Sequence, residues 1–378
     1  MPPLSARALN RATLARQLLL AREPLGVVDA VHRVVALQAQ EPPSPYLALW
    51  ARLERFDPAE LDLAFADGSV VKATLMRITQ HAVEASDYPA FHEAMQPTLR
   101  AARLNDRRFR RTGLTPDDAD DLLSEVLAFA SRPRTNAEAE AWFDERLGPT
   151  PKPGAWWAFR QYGPFVHAST GGAWSFGPRP SYIAARQLER SGDVEAAFGR
   201  LILRYLEGFG PATVEDIARF AMAHRPLVRS AVAAIEGGLV RLDGPGGSRL
   251  LDVPDGRLPD EDVPAPPRLL PMWDSVLLAH DDRGRMIPPA YRSHVTRTNG
   301  DVLPTLLVGG YVAGVWRPVE GGIEATAFHA LPDDEWDGLD AEAARLAAFL
   351  ATRDTAIYRR YVHWWSTLPA AEVRVLPT

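Results

Sequence analysis

Three consecutive residues, Gln38-Ala39-Gln40, offer the first chemistry in this chain. A carboxamide has an oxygen that can orient a water and N–H donors that can hold a phosphate or a base edge. On a helix, side chains two apart point about 200° away from each other, whereas in an extended segment they share a face. Pro42 and Pro43 disfavour the α region for the residues before them, so the chain is expected to turn extended close to Gln38. The plain alternative is a pair of solvated glutamines at a helix end.

Local patterns give the elements around the triplet. Val27, Val28, Val31, Val34 and Val35 recur at helical spacing and bury one face. Before them, Asn10 is expected to cap a helix carrying Leu14, Leu18 and Ala21. After them, Ser44-Pro45 and Asp57-Pro58-Ala59-Glu60 give two helix starts. Beyond Asp67-Gly68 the period falls to two, with Arg77, Thr79 and His81 on one strand face and Met76, Ile78 and Gln80 on the other. A helix over about 86–103 completes a helices-then-strands unit.

The plan returns twice. Thr115 and Thr135 start helices, a third is read over 156–162, and Gly171-Gly172 marks a two-residue hairpin between strands 165–170 and 173–176. In the third unit Thr213 caps a helix, Leu227 to Ile235 line another, and strands 239–243 and 249–253 flank a glycine-rich turn. FGPATVEDIARF has the form of a helix-turn-helix segment, although the helix after it carries few side chains that could read bases beyond Arg225 and Arg229. Residues 254–267 read as a linker. Strands 301–308 and 311–316 around Gly309-Gly310, with a helix over 340–353, form a closing β-rich module. The expected fold is α+β, mainly α. Its tandem winged helix-turn-helix units span 1–112, 113–192 and 193–253, and a β-rich module spans 268–378.

The segments LNRATLARQLLL, VVALQAQEPPSPYLALWARL and TLMRITQHAV resemble the winged-helix DNA glycosylase family that includes the AlkZ-type azinomycin-resistance enzymes. In that family a Gln-apolar-Gln or Gln-apolar-Asp triplet is catalytic, so the resemblance implies catalytic roles for Gln38 and Gln40. It also implies bulky or crosslinked N7/N3-alkylpurines in double-stranded DNA as substrate, and the Gln-x-Gln form looks closer to the self-resistance branch. A purine alkylated at N7 or N3 is already cationic and leaves through an oxocarbenium-like transition state, so an amide that only orients water suffices. Gln40 is expected to be the more direct participant.

Composition narrows the alternatives. Without cysteine there are no disulfides, thiolate metal sites or thiol nucleophiles. Of 42 basic residues only Lys72 and Lys152 are lysines, so a Schiff-base route has few amines available, and a monofunctional glycosylase leaving an abasic site is expected. No phosphate loop, HExxH or deaminase motif occurs, so no metal and no cofactor are expected. A net charge of −6 argues against coating nucleic acid through the overall field but allows a basic groove. No apolar run suggests a membrane span or secretory signal, and a cytoplasmic monomer is expected.

Candidate DNA-binding residues are Arg77, Thr79 and His81 on their strand face, Arg107, Arg108 and Arg110 in the LRAARLNDRRFRR cluster, and His294 and Arg297 before the Asn299-Gly300 turn. Each has an ordinary solvated surface as its alternative. Trp156, Trp157 and Trp174 could stack on bases, but their spacing reads as core. The competing functions are a non-catalytic winged-helix DNA-binding regulator and a protein that sequesters the drug itself.

Overall fold

The computed structural model describes residues 2–148, 152–186 and 192–377. It is a mixed α+β fold, about half helical, with several small antiparallel sheets and a five-stranded antiparallel sheet near its C-terminal end. Helix starts obey local chemistry. Thr115, Thr135 and Thr213 each close a full capping box with the carboxylate three residues on. The first helix, Ala6–Arg16, is capped by Ser5 and not by the expected Asn10, which lies inside it. There its buried amide donates to the carbonyls of Arg285 and Gly310, both at 2.9 Å.

The first small sheet has the order Leu37–Gln38, Gln80–Glu84, Val70–Thr74. Its period of two divides it between two cores. Leu37, Ala82 and Val70 pack with the first helices and the C-terminal sheet, whereas Ala73 and Val83 pack in a second core with helices Tyr88–Leu104, Pro153–Tyr162 and Val194–Phe209. Gln38 pairs with His81, and His81 with Ala73, so these three side chains share the second face. The turn between the strands is a 3-10 segment, Met76–Ile78, so Arg77 stands on a turn and not on the expected strand.

The second sheet orders Arg134–Thr135, Ser181–Ala184, Phe165–Ala168. The hairpin expected at Gly171-Gly172 does not form: Phe165–Ala168 pairs with Ser181–Ala184 instead. The cause is tertiary. Trp174 is buried edge-on against Tyr46, and the Ser175 hydroxyl donates to Asp62, so the loop is committed to the core that joins the first helices to the C-terminal sheet. Trp156 is core as expected.

Helices Val194–Phe209, Val214–Ala221 and Arg225–Ala234 precede the hairpin Val240–Asp243 with Arg249–Asp252. The stretch beyond that hairpin straps the first helix: Arg11 Nε donates to Val263 O and Arg7 Nε to Glu261 O. The last sheet orders Glu372–Leu376, Gly322–Ala327, Tyr311–Val319, Thr305–Val308, Arg268–Leu270, covered by helix Asp333–Ala351. That helix starts before residue 340 because Asp333, Asp334 and Glu335 suit an N-terminal turn behind Pro332. Three bidentate pairs, Arg16 with Asp252, Arg52 with Asp274 and Arg22 with Glu342, tie the N-terminal segment to the C-terminal half of the chain. No described helix is long and apolar enough to cross a membrane.

Candidate active site

The helix Val27–Val34 ends abruptly because Val35 adopts φ 73°, a conformation a β-branched residue rarely takes. Its surroundings hold it there. Gln17 Nε2 donates to Val34 O at 3.2 Å and Gly208 O at 2.9 Å, and Ser275 Oγ donates to Ala36 O at 2.8 Å. A Cβ at Gly208 would meet Val35 Cγ2 at 2.6 Å, so helix Val194–Phe209 can approach this turn only through a glycine. The chain emerges extended, Leu37–Gln38 pairs with the neighbouring strand, and Ala39 N continues the pairing to Gln80 O.

The two glutamines differ sharply. Gln38 is 4% exposed, and its Oε1 accepts from Arg77 Nη2 at 3.0 Å and, at 3.5 Å, from Thr79 Oγ1. Gln40 is exposed, and among the described residues its side chain makes no hydrogen bond. One amide is clamped and its neighbour is free.

The clamp has a definite protonation state. His81 Nε2 lies 3.1 Å from Arg77 Nη2 and Nδ1 lies 3.0 Å from Thr79 O. Arginine only donates, so Nε2 must accept, and Nδ1–H donates to the carbonyl. Burial first, and then the Arg77 charge, hold His81 well below the ordinary histidine range, so it is neutral. The Arg77 guanidinium lies over the Phe220 ring at 5.3 Å, and burial, then Arg283 and Arg219, lower it to about 9. Arg77 and Ile78 both take left-handed backbone, φ 54° and 59°, which turns the guanidinium back onto Gln38.

Arg77, Thr79 and His81 therefore do converge beside Gln38, but as a polar cluster with His81 fully buried and not as a solvated wing. Arg107, Arg108 and Arg110 are exposed on the short helix Arg107–Arg110, with Arg108 over the Trp157 ring at 4.7 Å. Arg103, also over that ring, donates to Ile78 O at 3.5 Å and links the cluster to the Arg77 turn. His294 and Arg297 lie elsewhere. Arg297 stacks on Trp364 at 4.4 Å and donates to Thr367 Oγ1, while His294 lies against Phe328.

Sequence reasoning missed Glu41, Arg360 and Tyr361. Glu41 accepts from Arg360 Nη2 and from the Tyr361 hydroxyl, which docks the segment Arg359–Thr367 beside Gln40. No local signal joins positions so far apart; only the density of basic and aromatic residues in RRYVHWW marks that segment. Lys72 is 4% exposed, lies over the Phe176 ring at 4.6 Å, and is lowered by burial to about 8 despite Glu41. It pairs with Ala82 and so faces away from Gln38. Among the described residues one set of groups, His32, Glu84 and Asp87, is close enough to share a metal ion. Arg204 Nε, 3.0 Å from Asp87, and Arg200 Nη2, at 3.8 Å, already supply positive charge there.

The fold as a whole has a solved counterpart. It is similar to the solved structure of Streptomyces sahachiroi DNA glycosylase AlkZ with a TM-score of 0.76, over 91% of this chain and 96% of that one, at 22% sequence identity. The family model for AlkZ-like DNA glycosylases matches residues 31–349, and the chain belongs to that family of hydrolases of N-glycosyl bonds. It is also 27% identical over 356 residues, 88% of this chain and 93% of the relative, to an interstrand DNA cross-link repair glycosylase of Streptomyces sahachiroi.

Proposed function

We propose that this chain is a monofunctional DNA glycosylase that removes bulky or crosslinked N7/N3-alkylpurines from double-stranded DNA, in repair or in self-resistance to an alkylating natural product. The observation that carries the reading is the asymmetric amide pair: a free Gln40 beside a Gln38 immobilised by Arg77. Gln40 Oε1 orients a water toward C1′ and places partial negative charge against the developing sugar cation. The water oxygen bonds to C1′ as the C1′–N bond breaks. Its electrons neutralise the cationic purine, and the water's proton passes to solvent. Gln38 fixes the position of the strand that presents Gln40.

The same reading takes the three helices-then-strands units as winged helices with boundaries at 1–112, 113–192 and 193–253, followed by a β-rich module at 268–378. Together they present a surface open enough for adducts that cannot be turned into a tight pocket. Arg107, Arg108 and Arg110 hold phosphates at one side, Arg297 borders the docked segment Arg359–Thr367, and His294 adds a contact farther along the strand. The protein acts as a monomer, and Lys72, buried on the opposite sheet face, does not form a Schiff base.

The test is incubation with duplexes carrying N7-methyl, mustard or azinomycin-type guanine adducts, and then alkaline cleavage. Alkali-labile sites at the adduct are expected. Their absence with all three adducts, together with protection of one discrete sequence, identifies a regulator instead.

A further inference from the structure

A cavity of about 450 Å³ opens between the Arg77 turn and the helix Val214–Ala221. Arg77, Arg219, Arg225 and Arg283 line it, against Glu215 and Asp281. Arg225 Nε lies 4.0 Å from Glu215, which accounts for one pair. Three arginines then face one carboxylate. None of the three forms an ion pair within 4 Å among the described residues, and Arg77 Nη1 is shielded from solvent without an acceptor. Arg283 is buried and spends Nη1 on Leu277 O. Arg219 is exposed, with no hydrogen bond from its side chain among the described residues.

Like charges gathered at the mouth of a buried network cost stability unless an anion joins them. The crowding registers on the residues themselves: after burial, Arg283 and Arg219 lower Arg77, and Arg219 and Arg292 lower Arg283. Met222 stands at the rim, 56% exposed with φ 55°, as an apolar edge beside the cationic floor. The helix-turn-helix phrase gains a use here. Its first helix supplies Arg219 and, through Phe220, the ring beneath Arg77.

We propose that this cavity binds one backbone phosphodiester of the lesion-bearing strand, held by Arg77, Arg219 and Arg283. Arg77 lines the cavity and holds Gln38 Oε1 with the same guanidinium, so a phosphate bound there registers the strand against the amide pair. A dianionic inorganic phosphate would satisfy the same donors, and the experiment separates the two. The proposal rests on the reading of the chain as a DNA-acting enzyme.

Binding to an undamaged duplex is measured against salt concentration for wild type, Arg219→Gln and Arg219→Lys, after thermal unfolding shows all three folded. The slope of log affinity against log salt is expected to fall by about 1 in Arg219→Gln and to be largely kept in Arg219→Lys. A scan of single methylphosphonate linkages around an abasic analogue should find one linkage whose neutralisation weakens wild type roughly tenfold and Arg219→Gln hardly at all. An unchanged slope, or no such linkage, overturns the proposal. So does thermal stabilisation of wild type but not Arg219→Gln by inorganic phosphate when the DNA slopes stay equal. Base release by wild type is scored separately: its loss with the slope change intact sinks the enzymatic reading and spares this site, and the reverse pattern does the opposite.

Discussion

At the scale of single residues, what separates Gln38 from Gln40 is a partner. Arg77 Nη2 is shared between Gln38 Oε1 and His81 Nε2, so three side chains hold one another in a fixed protonation state. Lys72 shows the opposite treatment on the other sheet face: a buried ammonium with a ring beneath it and no hydrogen bond among the described residues. Its pKa of about 8 in the folded protein lies below the ordinary 10.5, so between those values the unfolded chain binds the extra proton and stability rises with pH. Lys72→Met should therefore raise the unfolding midpoint at pH 7 by removing a penalty on the order of 3 kcal/mol. The gap from wild type should narrow as pH rises from 8 to 10.5. A gap that stays constant over that range rules out a desolvated ammonium.

At the scale of elements, the decisive piece is the stop after Val34. The prolines and the valine period make a helix and then an extended segment legible, and the helix does end one residue before Val35. The left-handed turn itself is not legible, because it depends on Gln17, Gly208 and Ser275, contacts far apart in sequence. Arg77, Thr79 and His81 do belong together, but the period of two that groups them does not extend to Arg77; the left-handed turn supplies the convergence instead. The Gly171-Gly172 hairpin fails for the same reason in reverse, since Trp174 and Ser175 answer to Tyr46 and Asp62 and not to their neighbours. Capping boxes at Thr115, Thr135 and Thr213 are readable because every partner lies within four residues. Gly208→Ala tests the element directly. Its methyl would overlap Val35, so a loss of about 1–3 kcal/mol by denaturant unfolding is expected. An unchanged midpoint would mean that the Val35 turn yields freely.

At the scale of the whole molecule, two hydrophobic cores meet at the first sheet, and bidentate arginine-carboxylate pairs lock the N-terminal segment to the C-terminal half of the chain. The glutamines sit where these parts meet. Burial also holds three histidines neutral: His81 and His167 well below 6.5, and His280 lowered to about 3. Each has a folded pKa below its unfolded value, so its contribution is complete above about 6.5 and is lost as pH falls from there toward the folded pKa. The thermal midpoint should therefore drop between pH 6.5 and 5, above the range where most carboxylates titrate. His167→Gln should flatten that drop, and a level midpoint across the interval would contradict neutral burial.

The central claim is that a free carboxamide, positioned by a clamped one, hydrolyses a glycosidic bond already weakened by alkylation. Its most direct test is the single-turnover rate of base release from an N7-alkylguanine duplex by wild type and Gln40→Ala, with DNA affinity measured in parallel. The account predicts a rate lower by about 10²–10³ with affinity nearly unchanged. A Gln40→Ala protein that releases the base at the wild-type rate would contradict it.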